Sequence, residues 1–413
     1  MIRISPFKAL RPLPEAAPDI ISVPYDVVDT EEARNMAQGK PLSFLRVIRS
    51  EIEFPPGADP YGSEIYARAR ENLHKLLEDG HLIRETEDCF FIYRLEHGGR
   101  SQTGVVARIH AEEYFNGRVK RHELTRPEKE KDRTEHVDRT GANTGPVFMA
   151  YRSDQAPGLT DYLEQLAGEM EPLYDIQRED DVRHKIYRVE PGPEQDRLQE
   201  LYSGLDCVYI ADGHHRAASA ANVCRLRQER FGQGNSEDPH NWFLCVSFPD
   251  EQLSILPYNR AVRDLNGLKN EEFLELLEKD FTLVPGKQEV QKREINLYLG
   301  GKWTHLKAKE HATSGTDEIS GLDVSILQER ILGPILGIDD PRLSDRIKFV
   351  GGIRGDEELE RLVDEGRYAV SFSMHPTSMN ELLAVADADK IMPPKSTWFE
   401  PKLCSGFLIN PLD

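Results

Sequence analysis

Residues 207–221, reading CVYIADGHHRAASAA, constrain the fold of this chain more than any other stretch. Residues 207–211 form a short apolar run closed by a glycine, which predicts an interior strand. From His214 onward Ala217, Ala220, Ala221 and Cys224 recur at helical spacing. That narrow stripe of small residues predicts a helix lying close to a sheet. Strand therefore turns to helix across Asp212, Gly213, His214, His215 and Arg216. The first-turn N–H groups there lack helical partners, and the helix dipole favours an anion. A polar helix start with surface histidines would carry some of the same residues. An Asp, two His and an Arg around a glycine that admits close backbone approach favour a phosphate site.

Composition narrows the classes of partner. The chain has 413 residues, enough for two or three domains, and a formal net charge of −20. That charge argues against a nucleic-acid surface, which needs clustered Lys and Arg. The five cysteines, Cys89, Cys207, Cys224, Cys245 and Cys404, lie mostly in apolar context with no paired spacing. They read as reduced core residues rather than disulfides or a metal cage. The start, MIRISPFKALRPLPE, lacks an apolar signal core, and no run approaches the roughly 20 apolar residues of a membrane span. A soluble, cytoplasmic protein is expected.

The organisation expected is mixed, α/β in the α+β sense. The Pro-rich passage RPLPEAAPDIISVPYDVV excludes a continuous helix or central strand near the start. A helix is predicted over residues 63–78, with Ile65, Ala69, Leu73, Leu76 and Leu77 on one face. FFIYRLEH and QTGVVARIHA predict a strand pair around GGRS, and NWFLCVSF and LSILPYNRAV a second pair across residues 249–252. Residues 266–315 are polar and read as a linker or insertion. The run from IKFVGGIRG to KIMPP then alternates strand, helix, strand, helix. Three segments follow: 1–95, an N-terminal α+β segment; 96–265, the central domain; and 266–413, a C-terminal α/β domain.

Three further stretches carry ionisable groups. In VKRHELTRPEKEKDRTEHVDRTGANTG, Thr125, Pro127 and Glu128 have the form of a capping box with proline in the first turn. The helix it opens is a solvated face, or else His122, Glu123, Asp132 and His136 face a cleft and handle a proton or metal. FVGGIRGDEELERL reads as strand, glycine turn and helix, which suits an anion or simply a tight turn. IMPPKSTWFEPKLCSGF is a proline-stiffened loop packed by Trp398 and Phe399. Its Lys395, Ser396 and Thr397 offer one cation and two hydroxyls to a small anionic or zwitterionic ligand. The glycine frame of a Walker A loop is missing there.

These segments carry a resemblance. SPFKALRP, PYDVV, HELTRPEKEKDR, YIADGHHRAASA, LDVSILQ, FVGGIRG and MPPKSTWFEPKL together resemble a prokaryotic family called domain of unknown function 1015. ADGHHRAASA is similar to the phosphate-binding signature of the ParB/sulfiredoxin-like superfamily. More distantly, KRHE, DGHHR, ILPY, HPTSMNELL and PPKST follow the order of motifs in the free-serine kinases of that superfamily. The resemblance implies that the central domain is ParB/sulfiredoxin-like and binds a nucleotide.

It also implies a reaction: phosphoryl transfer from ATP or ADP to a hydroxylated amino acid, with free L-serine favoured. Gly213, His214, His215 and Arg216 would cradle the donor phosphates, and His215 would assist catalysis. Asp212 would hold Mg²⁺. Glu123 would be the general base, with Asp132 or His136 as alternatives. His122, Lys395, Ser396 and Thr397 would hold the acceptor, the C-terminal domain closing the substrate site. Two other classes fit less of the sequence. One is a ParB-like, nucleotide-gated switch with a protein partner. The other is a metal-dependent phosphohydrolase, for which no ligand spacing speaks.

Overall fold

The computed structural model describes residues 1–232, 234–313 and 317–413. It is a mixed α/β chain whose residues cluster into two compact units. The first comprises Met1–Lys120, Thr125–Leu253 and Pro401–Asp413; the second comprises Arg121–Leu124 and Ser254–Glu400.

The first unit is built on a mixed sheet. In order across it run Val119–Lys120, Val208–Asp212, Val147–Tyr151, Trp242–Pro249, Arg100–His110, Phe90–His97, Arg183–Val189 and Tyr174–Gln177. Ile4–Ser5 adds to the Arg100–His110 strand. Two pairings are parallel: Val208–Asp212 with Val119–Lys120, and Trp242–Pro249 with Val147–Tyr151. The central strands are apolar throughout because both faces are covered, and Trp242–Pro249 is buried along its whole length. The helix His214–Phe231 lays Ala217, Ala220 and Cys224 into this core beside Val147, Ile210 and Phe243. Small side chains bring the helix axis close to the sheet, as the stripe predicted. A second apolar cluster joins Ile20, Phe44, Val47 and Ile48 to Leu73 and Leu76 of the helix Ser63–Glu78.

The second unit holds a six-stranded sheet in which every pairing is antiparallel. Its order is Phe281–Pro285, Lys302–Ala308, Glu294–Leu299, Val370–Met374, Tyr258–Val262 and Ile347–Gly351. The helices Gly355–Asp364 and Met379–Asp387 follow the strands as the alternation predicted.

Several expectations need correction. NWFLCVSF and LSILPYNRAV do not pair with each other. Trp242–Pro249 already has a partner on each side, leaving no open edge. Pro257, lacking an N–H, splits the following run. Ser254–Leu256 pairs with Trp398–Glu400, while Tyr258–Val262 enters the second sheet. Residues 266–315 are no linker: they supply the helix Asn270–Leu277 and three strands, with Phe273, Leu277, Phe281, Ile295 and Leu297 fully buried. Residues 314 and 315 lie outside the described residues. The polar average of residues 281–308 comes from the outward faces of strands, where every second residue meets water.

The capping box at Thr125 does not form either. Arg126 is the N-cap of the helix Pro127–Thr140 and makes no side-chain cap, while the Thr125 hydroxyl donates to Glu130 instead. Proline does open the first turn. The compact units also divide the chain otherwise than 1–95, 96–265 and 266–413. Phe90–His97 and Arg100–His110 form one ladder across the first boundary, and Pro401–Asp413 returns to the first unit.

Candidate functional site

In the first unit, the ladder register slips between Ile210 and Asp212. This irregularity releases Asp212 from the strict alternation of the strand. Gly213 follows in the left-handed region at φ +92°, where a side chain is strained. A β-carbon on Gly213 would stand 2.8 Å from Nε of Arg216, so glycine is needed for space as well. The helix that begins at His214 has no side-chain cap from Gly213 and no acidic residue in its first turn.

Arg216 is the centre of this corner. Its Nη1 donates to the Pro146 carbonyl, and its Nη2 lies 3.2 Å from Asp212 Oδ2 and 3.5 Å from Asp26 Oδ2. Burial disfavours the guanidinium charge, but Asp26 and Asp212 outweigh it and hold its pKa above the ordinary value. Lys402 Nζ approaches the same Asp212 oxygen at 3.4 Å. Two cations and two carboxylates thus share one corner. Asp212 and Asp26 stay partly exposed, at 28% and 33% of their side-chain surface. His215 accepts the backbone N–H of Arg126 at Nε2, 3.0 Å away. His214 is buried.

The alternative bases have structural duties in the same unit. Asp132 accepts from the Tyr66 hydroxyl at 3.0 Å and pairs with Arg133 at 2.9 Å. Arg133 lies 4.5 Å over the ring of Tyr25. His136 donates from Nε2 to the Val47 carbonyl at 3.0 Å. Burial and the Arg133 charge push its pKa down to about 4, so its ring is neutral at pH 7. The helix Pro127–Thr140 is therefore neither a solvated face nor a cleft wall along its whole length. Its Asp132, Thr134, His136, Val137 and Thr140 are buried.

In the second unit, the short segment Arg121–Leu124 is held by its backbone. His122 O accepts from Met392 N at 2.8 Å, and His122 Nε2 stands 3.2 Å from Thr397 Oγ1. Glu123 is half-buried and lines a cavity of about 370 Å³ with Ile319, Pro341, Met392, Pro393 and Pro394. His122, Glu123 and the loop carrying Lys395, Ser396 and Thr397 belong to this unit, whereas Asp212, Gly213, His214, His215 and Arg216 belong to the first.

The loop is pre-organised. Ser396 is buried and its hydroxyl donates to Pro393 O at 2.6 Å, so it braces the backbone. Thr377 Oγ1 donates to Ser396 O at 2.9 Å. Lys395 is exposed, with its Nζ 5.8 Å above the Tyr258 ring and a φ of +57°. For a residue with a side chain that conformation costs on the order of 1 kcal/mol. Trp398 stacks edge-on against Tyr258 at 5.1 Å. A β-carbon on Gly351 would lie 2.7 Å from the Trp398 ring, and one on Gly352 would lie 2.7 Å from Pro257 O. Close packing therefore requires Gly351 and Gly352, two of the three glycines of FVGGIRG.

Sequence reasoning missed Tyr25, Asp26 and Lys402. Tyr25 and Asp26 stand in PYDVV and Lys402 in MPPKSTWFEPKL, segments quoted above without a role for these residues. The available signal was the isolated Asp beside Tyr in a proline-bounded segment.

The chain matches the family described as "Protein of unknown function (DUF1015)" over residues 4–325. No curated protein matches it. Among solved structures it is similar to SbnI with a C-terminal truncation, from Staphylococcus aureus. That likeness has 12% identity and a TM-score of 0.41, covering 74% of this chain and 87% of the other. A free serine kinase in complex with AMP aligns at 14% identity and a TM-score of 0.35, covering 72% and 86%. A conserved hypothetical protein from Pyrococcus furiosus aligns at 14% and 0.33, covering 74% and 94%.

Proposed function

The chain belongs to the DUF1015 family, and from its two groups of residues we propose that it is a small-molecule kinase. Its donor is ATP or ADP and its acceptor a hydroxylated amino acid, L-serine first. The observation that carries this reading is the Gly213–Arg216 corner. A left-handed glycine opens an uncapped helix, and a guanidinium held between two carboxylates lies against it. Such a corner suits a charged phosphate chain, whose oxygens take backbone N–H groups and a guanidinium together.

In this reading the first unit holds the donor. Backbone N–H groups at His214 and His215 and the Arg216 guanidinium bind its terminal phosphates. The neutral His215 ring adds an Nδ1–H, because its Nε2 is already an acceptor. Asp212 and Asp26 are hard oxygen donors with partial exposure, and they fit Mg²⁺, which takes one or two carboxylates and completes its shell with phosphate and water. Bound there, Mg²⁺ would neutralise phosphate charge. Lys402 adds a second cation beside the Asp212 carboxylate.

The second unit supplies the acceptor side. Glu123 takes the proton of the acceptor hydroxyl. The oxygen so released attacks the terminal phosphorus; the new P–O bond forms as the bond to the leaving phosphate breaks, giving phosphoserine and the shortened nucleotide. Lys395 faces the acceptor's carboxylate. Its neighbours Ser396 and Thr397 act through the shape of the loop, since their hydroxyls meet Pro393 and His122.

Labelled ATP or ADP with Mg²⁺ and pooled hydroxy-amino acids tests the reading. Label should pass to a small molecule in the wild-type protein. Release of bare phosphate would point to a switch or hydrolase. Arg216→Ala should weaken nucleotide binding by about 2 kcal/mol, the loss of a charge-assisted contact. Equal affinity in that variant would remove the phosphate site from this corner.

A further inference from the structure

Arg260 lies in the strand Tyr258–Val262 and is 3% exposed. Among the described residues it forms no ion pair, although a buried cation normally needs one. Its donors go to backbone carbonyls: Tyr258 O, Lys395 O at 3.0 Å and Pro394 O at 3.4 Å. The ring of Phe349 lies 5.4 Å below the guanidinium. With Ser396 on Pro393 O and Thr377 on Ser396 O, four successive carbonyls of this loop each accept from a side chain.

The turn that results is unusual for its sequence. Pro394 and Lys395 are its central residues, and Lys395 takes the positive φ that ordinarily selects glycine. Its exposed side chain carries the ammonium to 5.8 Å from the centre of the Tyr258 ring. A strained backbone held by a buried, unpaired cation points to a required position for the side chain it carries.

We propose that Arg260 is a positioning residue that locks Lys395 in its left-handed turn, so that its ammonium selects acceptors bearing a carboxylate over amino alcohols lacking one. The proposal rests on the kinase reading for the acceptor class and goes beyond it in naming what excludes the competing class. Arginine suits the place because Nη2 reaches the adjacent carbonyls of Pro394 and Lys395 while Nη1 holds Tyr258 O, a spread that a single lysine ammonium does not reproduce. A carboxylate at Lys395 gains a charge-assisted contact that ethanolamine, with the same amine and hydroxyl, cannot make.

Equilibrium titration of the full-length protein with L-serine and with ethanolamine, in the presence of ADP, tests this without turnover. The wild type should bind serine at least tenfold tighter than ethanolamine. Lys395→Gly, which suits the positive φ, should keep or raise the melting temperature while reducing serine affinity about tenfold and sparing ethanolamine. Arg260→Lys should lose serine affinity similarly, and the double variant should bind no more weakly than Lys395→Gly alone. Equal affinities for the two ligands in the wild type, binding of neither, or additive losses in the double variant overturn the proposal. If Arg260→Lys does not fold, the Lys395→Gly comparison decides. A wild type that selects serine but transfers no phosphate would keep this inference and remove the kinase reading. One that phosphorylates ethanolamine as readily as serine would do the reverse.

Discussion

His215 Nε2 accepts the backbone N–H of Arg126 across 3.0 Å. Arg126 is the N-cap of the helix Pro127–Thr140, and His215 stands in the first turn of the helix His214–Phe231. One hydrogen bond therefore ties the beginnings of two helices and fixes an imidazole tautomer. A ring nitrogen that accepts an N–H carries no proton, so in the neutral ring the proton sits on Nδ1.

The tautomer is directly measurable. Long-range ¹H–¹⁵N spectra at pH 7 should show the His215 Nε2 resonance in the unprotonated range and Nδ1 in the protonated range. The reverse pattern would break the link to Arg126 and withdraw the Nδ1 donor from the phosphate site.

Gly213→Ala should cost on the order of 1–3 kcal/mol of stability, since alanine is strained at φ +92°. Its β-carbon must also displace the Arg216 guanidinium, 2.8 Å away. Denaturant unfolding and nucleotide titration should both register the change. A variant of wild-type stability and affinity would show that the corner relaxes freely.

Glu123→Gln keeps the size and hydrogen-bonding capacity of the side chain but takes no proton at neutral pH. It should fold, bind nucleotide normally and lose phosphoryl transfer by roughly a hundredfold or more. Wild-type turnover would leave the carboxylate without a role as base. Asp132 and His136 would be poor substitutes, because Tyr66, Arg133 and Val47 already occupy them.

Asp323 gives a stability test in the second unit. Burial raises its carboxyl pKa to about 6, against the opposing hydrogen bond from Arg293 N and the His375 charge. The unfolded group titrates near 4. Its folded pKa is the higher of the two, so the folded state is favoured most below about pH 4 and loses that advantage as pH rises through 6. At pH 7 the ionised group costs up to about 3 kcal/mol. Asp323→Asn retains an oxygen to accept from Arg293 N and sheds the charge. It should unfold at a higher temperature than wild type at pH 7, with the gain shrinking towards pH 4. An equal or lower melting temperature at pH 7 would contradict the burial cost.

Local signals in the sequence were reliable where one physical requirement dominated. The helix Ser63–Glu78 follows from its apolar face and Gly80, and the Asp212 corner follows from an apolar run, a glycine and a small-residue stripe. What escaped was set by distant partners. Trp242–Pro249 reads as half of a hairpin, yet both of its edges are taken by strands from earlier in the chain. Residues 281–308 look soft because antiparallel strands with one wet face average to a polar composition. Asp26 could not be placed beside Arg216 from spacing, since nearly the whole first half of the chain separates them. Arg260 looked like an ordinary strand arginine, and only its carbonyl partners reveal a loop anchor.

Ser254 and Glu400, the first and last residues of the long segment in the second unit, are register partners in a single two-stranded ladder. A segment whose two ends pair with each other closes on itself like a cassette. Its excision would take from Arg121–Leu124 the partners that hold it, since His122 O accepts from Met392 N and His122 Nε2 meets Thr397. The same geometry orders events during synthesis. Residues 254–400 emerge from the ribosome before residues 401–413, whose Asn410–Pro411 strand pairs with Ala142–Asn143. The inserted segment can therefore finish its own sheet while the host still waits for its closing strand.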